Sequence, residues 1–525
     1  MMKKERIEKI KKIREQKVEE NKKQLRIQPL RTQQGITLIA LIITIVILII
    51  LATITINFVF NDGLIKRAEQ ASEFYANDTK YTDESLANVE GWLDGAIPFQ
   101  PQQTPEPEGG GEEMTDMTHG VIEIKWLSGT SYNVSSTPNP PKIKEDLPEG
   151  TSMEQVVFNE SGTTERERWV AGTEYSYVAG EGSSDNTSSH WANARVTTTV
   201  EGESIDSYFV WIPRYAYRLI YFDSDTSKQA YQEGSLTEEE AIAENKIIGY
   251  SDSRGIVDSK GRKIESVTSE SNSPRIMVSS DYFMIHPAFA SGKENNYANG
   301  EWREEIEGIW IGKYEASGSI TKLKVEPGVS SLRSKTIGTF YTAGREYADE
   351  LNSHMLKNSE WGAVAYLTES KYGRNGHEIT INNNGTTYYT GGGTGDAYTT
   401  AENQKQSTTG NVYGVYDLSG NGVEYVAGYC GKGTTLTNGS TFADGSSDEY
   451  STAYTGTDEN TTYKYGDATY ETSCWHQDYA YFVDLDYPFF VYGANCYDDD
   501  GAGIFSFRGL WAITVQANWR IIFEF

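Results

Sequence analysis

Gly414-Val415-Tyr416-Asp417-Leu418-Ser419-Gly420-Asn421-Gly422-Val423-Glu424-Tyr425 carries a tight Ser-Gly-Asn-Gly turn that brings a carboxylate, Glu424, back beside backbone carbonyls. In that place the side chain can satisfy buried main-chain donors. Three other phrases precede it in order: Phe209-Val210-Trp211-Ile212-Pro213-Arg214-Tyr215, Ile309-Trp310-Ile311-Gly312-Lys313-Tyr314-Glu315 and Ser359-Glu360-Trp361-Gly362-Ala363-Val364-Ala365-Tyr366-Leu367. The surrounding pattern is one of short strands and turns. Val121-Ile122-Glu123-Ile124 alternates, as does part of Ile309 to Tyr314, and Asn299-Gly300, Asn375-Gly376, Asn384-Gly385 and Asp444-Gly445 are turn dipeptides. Two segments space apolar residues at three and four and predict helices. Ala343 to Asn352 sets Tyr347 and Leu351 on one face; Ser359 to Lys371 lines up Trp361, Val364 and Leu367, with Ser359 as N-cap. Residues 119–525 therefore predict a single α+β head rich in loop.

Upstream of the head the chain changes character. Residues 96–118 contain Pro98, Pro101, Pro105, Pro107 and the run Gly109-Gly110-Gly111-Glu112-Glu113, a linker composition that buries no core. Before it, residues 36–95 predict a helix and its stem, with Ala68, Ala71 and Phe74 at spacings of three. From Ile36 to Asn61 no side chain is charged. About 25 residues at about 1.5 Å each span a hydrocarbon core of about 30 Å, so 36–61 predicts one membrane crossing. Residues 1–35 carry Lys3, Lys4, Lys9, Lys11, Lys12, Lys17, Lys22 and Lys23, which places this end inside and the head outside.

Composition agrees with an exported head. The 525 residues carry a formal charge of −29, and past the anchor no basic patch for nucleic acid is visible. The head is rich in Gly, Ser, Thr, Asn and Tyr, and the chain has eleven tryptophans, suited to aromatic-lined loops. Three cysteines, Cys430, Cys474 and Cys496, allow at most one internal disulfide, and the six histidines form no spaced pair for zinc. No G-x-S-x-G elbow, HExxH, P-loop or GxGxxG occurs, and Gly391-Gly392-Gly393-Thr394-Gly395-Asp396 reads as a loop because no Lys-Ser/Thr follows.

Three resemblances extend this reading. The basic leader, Gln34-Gly35-Ile36 and the intact apolar helix resemble the type IV prepilin signal, which implies cleavage between Gly35 and Ile36 by a prepilin peptidase and other type IV pilins as assembly partners. Position five of the mature chain is Ala40, where most pilins have a glutamate that pairs with a neighbouring subunit. The four phrases together, over roughly residues 190–525, resemble the formylglycine-generating-enzyme-like branch of the C-type lectin fold. In some members of that family the turn holds calcium, which implicates Asn421 and Glu424; the alternative is that Glu424 serves backbone donors without a metal. Family oxidases use two closely spaced cysteines and copper. Here Cys496 stands alone in its segment with Cys474 the next one back, so the expectation is a non-enzyme, with an oxidase on Cys496 and Cys474 as the alternative and a minor pilin as a second.

The C-terminal segment 488–525 resembles the variable region of proteins diversified by retroelements. Pro488-Phe489-Phe490, Gly493, Gly501-Ala502-Gly503-Ile504-Phe505-Ser506-Phe507 and Arg520-Ile521-Ile522 match its framework. Interleaved residues are of the types that adenine mutagenesis of Asn codons yields. The resemblance implies a face made from Tyr492, Asn495, Tyr497, Asp498, Asp499, Asp500, Ser506, Arg508, Leu510, Ile513 and Asn518 that binds a macromolecular ligand. Trp511 and Trp519 belong to the framework, with Trp511 also offering aromatic contact. The expected protein is a surface-displayed, membrane-anchored ligand-binding module with no reaction of its own.

Overall fold

The computed structural model describes residues 118–180, 188–252, 255–257, 283–292, 297–383, 388–431, 448–454, 464–483, 487–496, 498, 501–510 and 517–525. The anchor at 36–61, the cleavage position Gly35/Ile36 and the 96–118 linker lie outside these apart from Thr118. Among the described residues no helix is long and apolar enough to cross a membrane.

The described part is α+β and mostly β. Its longest sheet has seven strands in the spatial order His354–Met355, Ile521–Glu524, Gly308–Gly312, Glu203–Pro213, Asn193–Val200, Thr151–Phe158 and Trp169–Ala171. Every pairing in it is antiparallel. The Trp-bearing phrases form its centre: Trp211 sits opposite Trp310 in the register, and their rings lie 5.3 Å apart. The apolar positions of both phrases thus meet across one ladder, which is the unit by which sheets are stabilised.

After Pro213 the chain leaves this sheet and Tyr215–Phe222 enters a second, six-stranded one, paired with Gly120–Leu127, Ile247–Asp252 and Met284–Ile285. All eight residues of Tyr215–Phe222 are buried, as a strand covered on both faces requires. A third sheet joins Thr452–Tyr454, Val423–Cys430, Phe489–Tyr492 and Phe507–Leu510, with Ala517–Trp519 pairing parallel to Val423–Cys430. It carries the C-terminal segment.

Both predicted helices form, with altered limits. The first, α1 (Ile337–Glu346), starts earlier than expected because Thr336 caps it, accepting the Thr339 N–H at 3.1 Å. The residues expected to continue it, Asp349–Leu351, form a separate 3-10 turn after Ala348 turns extended. The second, α2 (Asn358–Glu369), has all twelve residues buried, so its apolar stripe is not an amphipathic face. Ser359 does not cap it. The cap residue is Lys357, whose N–H is taken by the Glu360 carboxylate at 2.8 Å, while the Ser359 hydroxyl donates to the Gly300 carbonyl.

Burial on every side explains Gly362 in α2. A Cβ there would lie 2.0 Å from the Gly466 carbonyl oxygen, a backbone atom with no rotamer to change. Gly362→Ala is expected to destabilise by about 1–3 kcal/mol through overpacking. A denaturant midpoint unchanged from the parent would refute this close approach.

Candidate functional site

The Ser419-Gly420-Asn421-Gly422 turn forms as its residue types require, with Gly420 and Asn421 at φ +78° and +59°. Around it three acids and one base share the interior: Glu315, Asp417, Glu424 and Arg520, none more than 1% exposed. The Arg520 guanidinium donates Nε to Glu424 Oε2 at 3.0 Å and Nη2 to Glu424 Oε1, and its remaining N–H groups reach the carbonyls of Gly312 and Tyr416 at 2.7 and 2.9 Å. Glu315 accepts from Asn421 Nδ2 at 2.5 Å, Asn518 Nδ2 at 2.6 Å and the Gly422 N–H at 3.1 Å. Asp417 accepts from Asn382 Nδ2 and the Gly391 N–H, both at 2.8 Å, so the Gly-rich loop at 391 lends a backbone donor to a carboxylate.

Burial dominates the electrostatics here. It pushes Glu315 well above the usual carboxylate range, helped by Glu424, and raises Asp417 to about 6 against the pull of Arg520. Glu424 is also raised by burial, with Arg520 opposing. The donor set at Asn421 and Glu424 does not fit calcium. Both Glu424 oxygens are engaged by Arg520, and the Asn421 amide nitrogen is turned toward Glu315. The cation of this turn is a guanidinium.

The same turn anchors the C-terminal segment. Gly420 N–H donates to the Gly493 carbonyl at 2.9 Å, the Cys496 N–H to the Asn421 carbonyl at 3.1 Å, and the Ser419 hydroxyl to the Ala502 carbonyl at 2.6 Å. From the other side the Asp478 carboxylate accepts the N–H groups of Gly503 and Phe505 at 2.6 and 2.9 Å. A Cβ on Gly503 would sit 2.1 Å from Asp478 Oδ1, which explains glycine at this position. The backbone at Gly493, Cys496, Ala502, Gly503 and Phe505 is therefore held from within by groups that lie outside the 488–525 interval.

The expected contact residues divide on this scaffold. Tyr492 is buried, stacked 5.0 Å from Trp361, with its hydroxyl donating to the Asp467 carbonyl at 2.8 Å. Asn495, Ser506 and Asn518 are buried as well. These four side chains are buried and belong with the framework; the strand Phe489–Tyr492 is covered on both faces, Phe490 and Tyr492 packing into one core and Phe489 and Val491 into another. Asp498, Arg508 and Leu510 are half-buried and reach the surface. Arg508 Nη2 lies 3.5 Å from Asp498 Oδ2, and the Asp498 carboxylate also accepts the Asn495 N–H at 2.9 Å. Tyr497, Asp499, Asp500, Trp511 and Ile513 lie outside the described residues, while Trp519 is buried against Phe340.

Sequence reasoning overlooked Glu315, Asp417 and Asp478 as site-builders. A carboxylate set among apolar and aromatic neighbours, as in Lys313-Tyr314-Glu315 and Val415-Tyr416-Asp417, is the signal that points to burial and pairing. All three cysteines are free thiols. Burial pushes the Cys496 thiol up, away from the thiolate that copper ligation needs. Among the described residues no cluster of three metal-ligating side chains occurs. No protein-family model matches the chain, and no curated protein matches it by sequence.

Proposed function

We propose that this chain is a surface-displayed ligand-binding protein. Its head is of the C-type-lectin type, in the formylglycine-generating-enzyme-like branch, and its 488–525 face is diversified by a retroelement to bind macromolecular ligands. The pilin-like anchor at 36–61 holds that face outside the membrane, and no reaction is assigned. One observation carries the reading: the framework positions Phe489, Phe490, Gly493, Gly501 to Phe507 and Arg520 to Ile522 are buried, while Asp498, Arg508 and Leu510 between them are not. Side chains on an internally anchored backbone can change what is bound without changing the fold.

A displayed library tests this. Random substitution at Asp498, Arg508 and Leu510 is expected to leave most clones folded, since surface changes usually cost within about 0.5 kcal/mol. Random substitution at Tyr492 and Asn518 should leave few. Equal fractions of protease-resistant clones in both libraries would remove the distinction on which the reading stands. In the genome, a neighbouring reverse transcriptase gene and a near-copy of the 488–525 coding sequence differing at adenines are expected. Sibling genes that vary evenly across the head would contradict the diversification.

A further inference from the structure

Lys313 is fully buried, and among the described residues it forms no ion pair. A buried lysine usually has a carboxylate against it, because an unpaired charge in the interior is costly. The Lys313 Nζ has three oxygen neighbours instead: the Val412 and Gly414 carbonyls at 2.5 and 2.9 Å, and Asn193 Oδ1 at 2.9 Å. Aromatic rings wall this end, with the Trp169 centroid 4.6 Å from Nζ, Tyr416 at 5.5 Å and Tyr314 at 5.9 Å. Asn193 is buried as well, and its Nδ2 donates to the Trp191 and Tyr413 carbonyls at 2.8 and 2.9 Å. Those two bonds fix the carboxamide with its oxygen side toward the lysine.

The sheet brings the pair together. Lys313 directly follows the strand Gly308–Gly312 and Asn193 opens Asn193–Val200, while Glu203–Pro213 lies between these strands and pairs with both. Burial holds the Lys313 amine well below its ordinary range, against the opposing pull of Glu165, so more of it is neutral at physiological pH. A neutral amine keeps two protons, one for each backbone carbonyl, and its lone pair then faces the Asn193 carboxamide. A desolvated lysine is a nucleophile, and an electrophile fixed in contact with it raises the effective concentration by orders of magnitude. Water, the competing nucleophile, is kept out by the rings.

We infer that Lys313 and Asn193 join through an intramolecular isopeptide bond that the fold itself promotes. The Nζ lone pair adds to Asn193 Cγ, the Cγ–Nδ2 bond breaks, one Nζ proton passes to Nδ2, and ammonia leaves. An amine and a primary amide become a secondary amide and ammonia, so no oxidant or other co-reactant is required. The link joins positions 120 apart and clamps the strands on either side of Glu203–Pro213. A cross-link over so long a stretch restricts the unfolded chain and so opposes unfolding.

Tandem mass spectrometry of the full chain tests this, on protein purified in detergent and showing a cooperative thermal transition. Trypsin is expected to release residues 169–195 joined to residues 304–322, uncut after Lys313 and lighter by one ammonia than the two peptides together. Asn193→Ala and Lys313→Met should each abolish the joined product. On a denaturing gel the parent should run ahead of both, since a chain closed on itself cannot extend fully. Separate 169–195, 304–313 and 314–322 peptides from the folded parent overturn the inference, and this result decides even where a variant fails to fold. A joined product that persists in Asn193→Ala overturns it too, because the bond would then lie at another residue. The ligand-binding reading is untouched by either outcome.

Discussion

Arg520→Met is expected to lower the stability of the head by about 3–5 kcal/mol at pH 7, the cost typical of removing one partner from a buried ion pair. The side chain is fully buried, and its guanidinium is the cation hydrogen-bonded to Glu424 and the one that offsets Glu315 and Asp417. Without it three carboxylates share an interior from which water is excluded, and the Gly312 and Tyr416 carbonyls lose their donors. Since domains are stable by only about 5–15 kcal/mol, the variant should be close to unfolding. Two companion results follow from the same charges. Adding Glu424→Gln should recover part of the loss, because one uncompensated charge is removed along with its partner. The deficit should also shrink at pH 5, where the remaining carboxylates protonate more readily. Urea melts of the three proteins at pH 5 and pH 8 decide the matter, and a deficit below about 1 kcal/mol at pH 8 would show that Arg520 does not neutralise the cluster.

Stability should fall as pH rises from 5 to 8. Burial, the main cause in each case, raises Asp417 and Asp467 to about 6 and Asp478 to about 7, above an ordinary value of 3.8. For an acid whose folded pKa lies above its unfolded one, the folded state binds the proton more tightly. Its contribution is present in full below about pH 4 and is lost as pH climbs through 6 to 7. His476 acts in the same direction. Burial lowers its pKa, but Glu369 at 3.0 Å more than offsets this, so its stabilising charge is lost as pH rises through the raised value. Glu360 and Glu369 act in the opposite sense at lower pH. Burial works to raise both, but His354 and His476 hold them below the usual range, and their contribution is lost as pH falls through their folded values.

The shift at Asp478 alone corresponds to at most about 3 kcal/mol between pH 5 and 8, where the unfolded carboxyl is already ionised and the folded one releases its proton near 7. Asp478→Asn should therefore flatten the slope between pH 5 and 8 more than any exposed carboxylate does. Thermal midpoints taken at half-unit steps would sink the account if they rose steadily from pH 5 to pH 8.

The turn at 419–422, the strands at 121–124 and 309–312 and the existence of both helices were legible because each is written in neighbouring residues: turn types, alternation, or a spacing of three and four. Helix limits were less so. Thr336 caps α1 from beyond the apolar pattern, and burial of α2 on all sides leaves no polar face to mark its ends. The acid cluster was illegible for a different reason. Glu424 and Arg520 are separated by 96 positions, and no local period links them. On the C-terminal face the chemical type of Tyr492, Asn495, Ser506 and Asn518 suggested contact, whereas Phe489–Tyr492 is covered on both faces, so no alternation marks Tyr492 as buried. Asn518 was found only through Glu315.

The spatial order of the seven-stranded sheet has a consequence for the timing of folding. Ile521–Glu524 lies second in that order, between His354–Met355 and Gly308–Gly312, and bonds to both. Until those residues have been synthesised, Gly308–Gly312 keeps an open edge and the sheet cannot close. Pairings across some 200 positions are also slow to form, since loop closure precedes any gain from contact. The seven-stranded sheet should thus complete its order only once Ile521–Glu524 is in place, later than a sheet built from neighbouring strands would.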